Sequence, residues 1–226
     1  MIFIRLLAIL VLLLGAGCAS REAKLAAAAE KASKLPPQQV KLREVSYALD
    51  RQYSRLQETG LGAIYAPGAS AVYTIDGFTL DLLALYVGVP AGTPLAKTRS
   101  GAAEFPPFRP SMSPHEIVEL YEMVVTQNGS SFKLGRIVPA SFGGAPGFRY
   151  DFTLMRRTGL LVTGVGYGAT ANGRLYLMTY TAPSSYFFPK YLPLAEATVK
   201  STVIGKPRTT DETNAGEIAD EREAKE

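Results

Sequence analysis

The sequence predicts an α+β fold, an antiparallel sheet flanked by helices and preceded by an N-terminal helical tether. Three observations predict it. After residue 130, four segments rich in β-branched and aromatic residues are separated by short glycine-bearing turns, the pattern of an antiparallel meander. Ahead of them a helix opens at Ser113 on a complete capping signal. Behind them the stretch from Pro189 to Thr202 repeats apolar residues at helical spacing.

The chain opens with MIFIRLLAILVLLLGAGC, in which Arg5 precedes an apolar run from Leu6 to Leu14, followed by Gly15, Ala16, Gly17 and the only cysteine, Cys18. A positive charge, an apolar run and small residues are the parts of an export signal. The run falls short of the roughly 20 residues that a helix needs to cross a bilayer. Residues 1–17 are therefore expected to be a signal peptide, with an ordinary secretory peptide or an uncleaved anchor as the alternatives. The stretch Leu14 to Cys18 resembles the bacterial lipobox, although Gly15 stands where leucine is usual and the leucine lies one residue earlier. That resemblance implies a diacylglycerol on the Cys18 sulfur, cleavage before it and acylation of the new amino group. Ala19, not aspartate, follows the cysteine, which by the same resemblance implies passage to the outer membrane with the domain facing the periplasm. Retention in the inner membrane is the other outcome.

Residues 18–58 are expected to form a lipidated helical tether. Ser20 to Lys34 is alanine-rich and charged, with high helix propensity and little to bury. Pro36 and Pro37 stop it. From Gln38, Leu42, Val45, Leu49, Tyr53 and Leu56 recur at spacings of three and four, which predicts a second helix lying along the domain or against another helix. Thr59-Gly60 and Gly62 end it.

A globular domain is expected over residues 60–205. Ile64-Tyr65, Val72 to Ile75 and the run from Phe78 to Val89 read as strands, with Asp76-Gly77 as a short hairpin turn between the last two. Thr98 to Pro110 is a loop rich in proline and glycine. Ser113 is an N-cap, Pro114 takes the first helical position and Glu116 completes the capping box. Ile117, Leu120, Tyr121 and Val124 form the apolar face of that helix, and Asn128-Gly129 ends it. Strands follow at Ser131 to Pro139, Gly147 to Met155, Leu160 to Gly168 and Arg174 to Thr181. Asn172-Gly173 is a type I′ hairpin signal. The closing helix points Leu192, Ala195, Val199 and Val203 inward. Residues 206–226 form an acidic tail, poor in apolar residues and expected to be disordered.

After cleavage about 209 residues remain, enough for one domain with a substantial core. With Cys18 acylated no thiol is left for disulfides, zinc sites or a cysteine nucleophile within the monomer. The formal charge is +4, yet the tail from Lys206 carries four basic and seven acidic residues. The lipid-proximal segment and core are accordingly basic, a balance that favours anionic lipid headgroups or lipopolysaccharide phosphates. The basic residues are scattered, so no nucleic acid is expected as a partner.

Signals of catalysis are weak. His115, the only histidine, stands at the second position of the capped helix, a solvated surface place, and no metal or cofactor is expected. Asp76, Asp81, Glu104 and Asp151 are the carboxylates nearest core elements; the hairpin accounts for Asp76, and alternation puts Asp81 and Asp151 toward solvent. Gly164-Val165-Gly166-Tyr167-Gly168 lacks the spacing and the following helix of a dinucleotide loop. Its alternate glycines permit a bulge or close backbone approach, or leave a groove at Gly164, Gly166 and Gly168 for an apolar ligand or a partner segment. Tyr186 and Lys190 match a dehydrogenase Tyr-x-x-x-Lys spacing by chance, since Pro189 lies inside it. Two aromatic surfaces are candidates for recognition. One is the stiff loop bearing Phe105, Phe108 and Arg109, whose phenylalanines alternatively cover the core. The other is Tyr186, Phe187 and Phe188, alternatively packing between the last strand and helix.

The stretches GFRYDF (147–152) and GRLYLMTYTA (173–182), followed by a helix ending Val199-Lys200-Ser201-Thr202, resemble the PsbP-like fold over about residues 60–205. That family acts mostly by binding. The expected function is an outer-membrane lipoprotein, not an enzyme, held by membrane lipid through Cys18, whose domain binds a protein or another envelope component. A carrier of a small apolar or lipidic ligand between sheet and helix is the alternative, and an envelope hydrolase the third.

Overall fold

The computed structural model describes residues 36–56, 64–98 and 104–206. The signal peptide, Cys18, the alanine-rich segment and the tail beyond Lys206 lie outside the described residues. Of those described, 36–38 and 50–52 fall in one compact unit and all the rest in another. In the first, the Arg51 side chain donates from Nε to the Pro36 carbonyl at 2.9 Å.

The larger unit is built on strands β1 (Gln38–Leu42), β2 (Val45–Leu49), β3 (Ser54–Leu56), β4 (Ala71–Thr74) and β5 (Leu82–Pro90). Helix α1 (Pro114–Thr126) follows, then β6 (Ser131–Phe142), β7 (Ala145–Met155), β8 (Leu161–Ala171) and β9 (Arg174–Pro183). Helix α2 (Phe187–Ser201) and the short β10 (Val203–Ile204) are the last elements of the described residues. Seven strands form one sheet in the order β3-β4-β5-β9-β8-β7-β6, and β1-β2-β10 form a second. Every strand pairing with a resolved register is antiparallel.

The meander forms because its turns are cheap. Asn172 and Gly173 both take positive φ, 52° and 71°, as a type I′ turn demands, and Gly143 and Gly144 do the same between β6 and β7. Central strands β5 and β9 are buried on both sides: α1 packs on one face with Tyr86, Phe152 and Leu177, and α2 with β2 covers the other through Leu85, Met178 and Tyr180. This explains why β5 reads as a continuous apolar run. Helix α1 begins as its sequence says, with the Ser113 hydroxyl accepting from the Glu116 N–H and the Glu116 carboxylate accepting from the Ser113 N–H at 2.7 Å.

Residues 38–56 correct the expected helix: they are three strands. The helical stripe was real as spacing, but Val45, Tyr47 and Leu49 also alternate, and all three are buried against α2 and the sheet. Strand β2 is held by pairing with β10, more than 150 residues away (Val203↔Ser46, Ile204↔Val45). Val203, expected to extend the closing helix inward, is instead an exposed residue of that pairing. The turn before β2 has no turn-forming residue; Arg43 takes φ 53° and is held there by donating from Nη1 to the Val87 carbonyl at 3.1 Å. Residues 39–49 thus fall in the same compact unit as the described residues from 64 onward.

A second correction concerns Asp76-Gly77, which is part of a longer connection, residues 75–81, between β4 and β5. Asp81 organises it. Its carboxylate accepts from the Asp76 N–H at 2.7 Å, the Ile75 N–H at 2.8 Å and the Thr74 hydroxyl at 3.1 Å. Expected at the solvent, Asp81 is 1% exposed, because backbone donors that no strand partner satisfies need an acceptor.

Candidate functional site

Alternation along β7 places Phe148, Tyr150, Phe152 and Leu154 on the α1 face, all buried. The next residue in that phase is Arg156. A three-residue loop closes the β7–β8 hairpin, with the Arg156 N–H donating to the Leu160 carbonyl at 2.9 Å and the Gly159 N–H to the Arg156 carbonyl at 2.8 Å; Gly159 takes φ 84°, as such a loop requires. The last inward position of an aromatic and aliphatic row is therefore filled by a cation.

Arg156 lies with its guanidinium carbon 5.1 Å from the centre of the Tyr65 ring, and Tyr65 is braced by Phe78 at 5.0 Å between centroids. Its Nε is buried without a hydrogen-bond partner. Among the described residues its side chain makes no ion pair. Burial lowers its pKa, and what opposes that shift is the Tyr121 and Tyr65 hydroxyls, not a carboxylate. A cation–π contact contributes about 0.5–2 kcal/mol, which does not replace an anionic partner for a desolvated charge. The C-terminal end of α1 stands nearby, and its partial charge of about half an electron offsets only part of the guanidinium charge.

Two neighbouring cavities of about 190 and 280 Å³ share Ile64, Tyr65, Asn128 and Arg156. Val124, Leu154 and Pro67 line the first, with Lys97 at its edge. Leu160, Thr158 and Arg157 line the second. Among the described residues, no carboxylate lines either. Ile64 and Leu160 are large apolar side chains left 52% and 38% exposed, so the groove presents an apolar floor and rim around one half-buried cation.

The sequence-predicted surfaces fare differently. Phe108 is fully buried in the α1-side core, its backbone bonded both ways to the turn at Gly92-Thr93. Phe105 packs partly on the same core. Arg109 is exposed and sits 3.6 Å from Glu116. Across the sheet, Phe187 and Phe188 pack on the other core, Phe188 stacking on Tyr180 at 5.6 Å; of that trio only Tyr186 is exposed. The two patches are thus on opposite cores and do not meet. The glycine groove is also corrected. Phe152, Tyr150 and Phe148 are the cross-strand partners of Gly164, Gly166 and Gly168, and their rings, joined by Leu177 at Gly168, fill the space where a Cβ would stand. The glycines admit aromatic rings of the core, not a ligand.

His115 is exposed and Glu104 too; Asp151 is paired with Arg149 at 2.6 Å and Arg136 at 2.9 Å. Among the described residues, no group of three His, Cys, Asp or Glu side chains is arranged to hold a metal, and no helix is long and apolar enough to cross a membrane. Arg156 lies just past the strand expected over Gly147 to Met155, so strand spacing alone leaves it outside the core pattern. Its phase with Phe148, Tyr150, Phe152 and Leu154 was the signal that marked it as inward.

No protein family matches the sequence, and no curated protein does. Solved structures do. The solution structure of cyanobacterial PsbP (CyanoP) from Synechocystis sp. PCC 6803 is similar at TM-score 0.50 and 10% identity, over 75% of this chain and 92% of that one. LpqN, involved in cell envelope biogenesis of Mycobacterium tuberculosis, is similar at TM-score 0.43 and 11% identity, over 76% and 87%. At such identities the likeness is one of fold alone. Among the described residues, sheet order, the two long helices and the similarity to cyanobacterial PsbP together give a PsbP-like α+β fold.

Proposed function

We propose that this chain is an envelope lipoprotein, anchored through acylated Cys18 and sorted to the outer membrane, whose periplasm-facing domain works by binding a component of the envelope. The anchoring rests on the sequence: a charged, apolar and small-residue leader ending on the only cysteine. Acyl chains contribute about 0.8 kcal/mol per buried CH₂, so several hold a protein to a membrane where one does not. The binding role is carried by one observation, the half-buried Arg156 guanidinium without an anionic partner among the described residues, at an apolar groove. A charge left unmatched in a concave, mostly apolar site is what a ligand of opposite charge completes. The alternative of a carrier in the sheet–helix space near the glycines loses its support, because aromatic rings fill that space.

Metabolic labelling with a clickable palmitate tests the anchor. The expected result is label on the mature chain, lost in Cys18→Ala, with fractionation into the outer membrane. An unlabelled chain in the cytosolic fraction overturns it. Crosslinking in intact cells from Leu160, at the groove rim, tests the binding role: an envelope component captured there and lost in Arg156→Gln supports it, and a crosslinking pattern unchanged by Arg156→Gln overturns it.

A further inference from the structure

We infer that the groove between Tyr65, the C-terminal end of α1 and the β7–β8 turn is a site for a small amphipathic anion, an oxyanion head on a short apolar chain, with Arg156 holding the head. This rests on the binding role proposed above and names the chemistry of its ligand.

Arg156 supplies the head site. A guanidinium presents donors in a planar fork that matches the oxygens of a carboxylate or phosphate, and here its Nε is buried with no acceptor. Tyr65 fixes the plane from one side at 5.1 Å, so the fork is held before any ligand arrives, which lowers the ordering cost of binding. Among the described residues, no carboxylate in either cavity wall competes for it.

The chain site follows from the remaining walls. Ile64, Val124, Leu154 and Leu160 give apolar surface within the same cavities, which an inorganic ion would leave wet and an apolar chain would cover. Size bounds the ligand. Cavities of about 190 and 280 Å³ lie below the roughly 300–1,000 Å³ of drug-sized pockets, so a chain of about eight carbons fits the scale better than a long acyl chain buried end to end. Lys97 and Arg157 at the edges are exposed and raise the local concentration of anions more than they hold one.

The shared chemistry has two sources, a free medium-chain fatty acid or the headgroup end of an anionic lipid. The test uses the full mature chain in nanodiscs of neutral phosphatidylcholine, titrated calorimetrically with octanoate, octyl phosphate, octanol and inorganic phosphate. Octanoate and octyl phosphate are expected to bind saturably at one site, with octanol and inorganic phosphate at least tenfold weaker, since one charge-assisted pairing is worth about a factor of ten or more. Arg156→Gln is expected to lose tenfold or more for octanoate and Arg156→Lys to recover part of it, while Arg109→Gln, exposed before the N-terminal end of α1 and lining neither cavity, changes affinity less than threefold. Octanol binding as well as octanoate overturns the inference with no variant needed. So does undiminished octanoate affinity in Arg156→Gln. Recruitment to vesicles of phosphatidylglycerol separates the sources: a loss in Arg156→Gln parallel to that for octanoate assigns the site to a lipid headgroup, and unchanged recruitment assigns it to the free amphiphile. An unlabelled Cys18 with octanoate binding intact defeats the anchor alone, whereas palmitate label without octanoate binding defeats this inference alone.

Discussion

The ring of Tyr150 lies across Gly166, its partner on the neighbouring strand, in the space that a Cβ would occupy. Phe152 does the same over Gly164, and Phe148 reaches within 2.7 Å of the corresponding point over Gly168. Three large rings on β7 are thus fitted to three side-chain-free positions on β8, a pairing in which aromatic residues cover glycines.

Gly166→Ala is expected to destabilise the fold by about 1–3 kcal/mol, as added volume does in a packed core. No positive φ is involved at this position, so the cost is steric. A urea titration reads it as a lower midpoint. The double variant with Tyr150→Leu should recover part of the loss, and strict additivity of the two would refute the fit.

Tyr86 and Tyr150 have buried hydroxyls with no partner among the described residues. An unsatisfied buried hydroxyl costs about 1–3 kcal/mol of desolvation, so Tyr86→Phe and Tyr150→Phe are expected to be neutral or stabilising. Tyr121 differs, since its hydroxyl donates to Thr179 Oγ1 at 3.4 Å, and Tyr121→Phe should cost up to about 1 kcal/mol. Thermal melts of the three variants rank them. A clear drop in melting temperature for Tyr150→Phe would show that its hydroxyl has a partner after all.

Phe108→Ala is expected to cost about 3–5 kcal/mol, the range for an aromatic side chain removed from a core. Arg109→Ala, one residue on and exposed, should stay within about 0.5 kcal/mol. Equal effects would return the loop to the surface role read from its sequence.

Two carboxyls give opposite pH dependence. Burial raises the Asp81 pKa above its ordinary value, although its hydrogen bonds from Asp76, Ile75 and Thr74 pull the other way. A folded pKa above the unfolded one means that the native state binds more protons across that interval, so stability falls as pH climbs from about 4 through the folded value. Hydrogen bonds from Ser113 lower the Glu116 pKa; its contribution is present above the unfolded value and is lost as pH falls through the folded one. Asp81→Asn should flatten the first slope while costing about 1–3 kcal/mol, because one amide oxygen cannot serve the donors that two carboxylate oxygens serve. Glu116→Gln should remove the second, whereas Ser113→Ala keeps the backbone donor that contributes most to it. Urea midpoints between pH 3 and 7 read both.

Legibility followed the range of the interactions. Ser113, Pro114 and Glu116 act within one turn of helix, and Asn172-Gly173 within one hairpin, so a local reading finds them. Val45, Tyr47 and Leu49 carried two periodicities at once, and the choice fell to β10 at the far end of the chain. Gly164, Gly166 and Gly168 showed a missing side-chain surface, but what filled it was decided by register with Phe152, Tyr150 and Phe148. Arg156 was in phase with its strand, yet only the arrival of Tyr65 and the end of α1 made it a half-buried, unmatched cation.

By itself the sequence determined the α+β class, the capped helix, the meander and its turns, because these depend on neighbours a few residues apart. The tertiary structure alone decided which face each residue turns to, that residues 38–56 are strands, and that the polar focus of the groove is Arg156. Those outcomes depend on pairings between distant segments, whose free energy no local pattern contains.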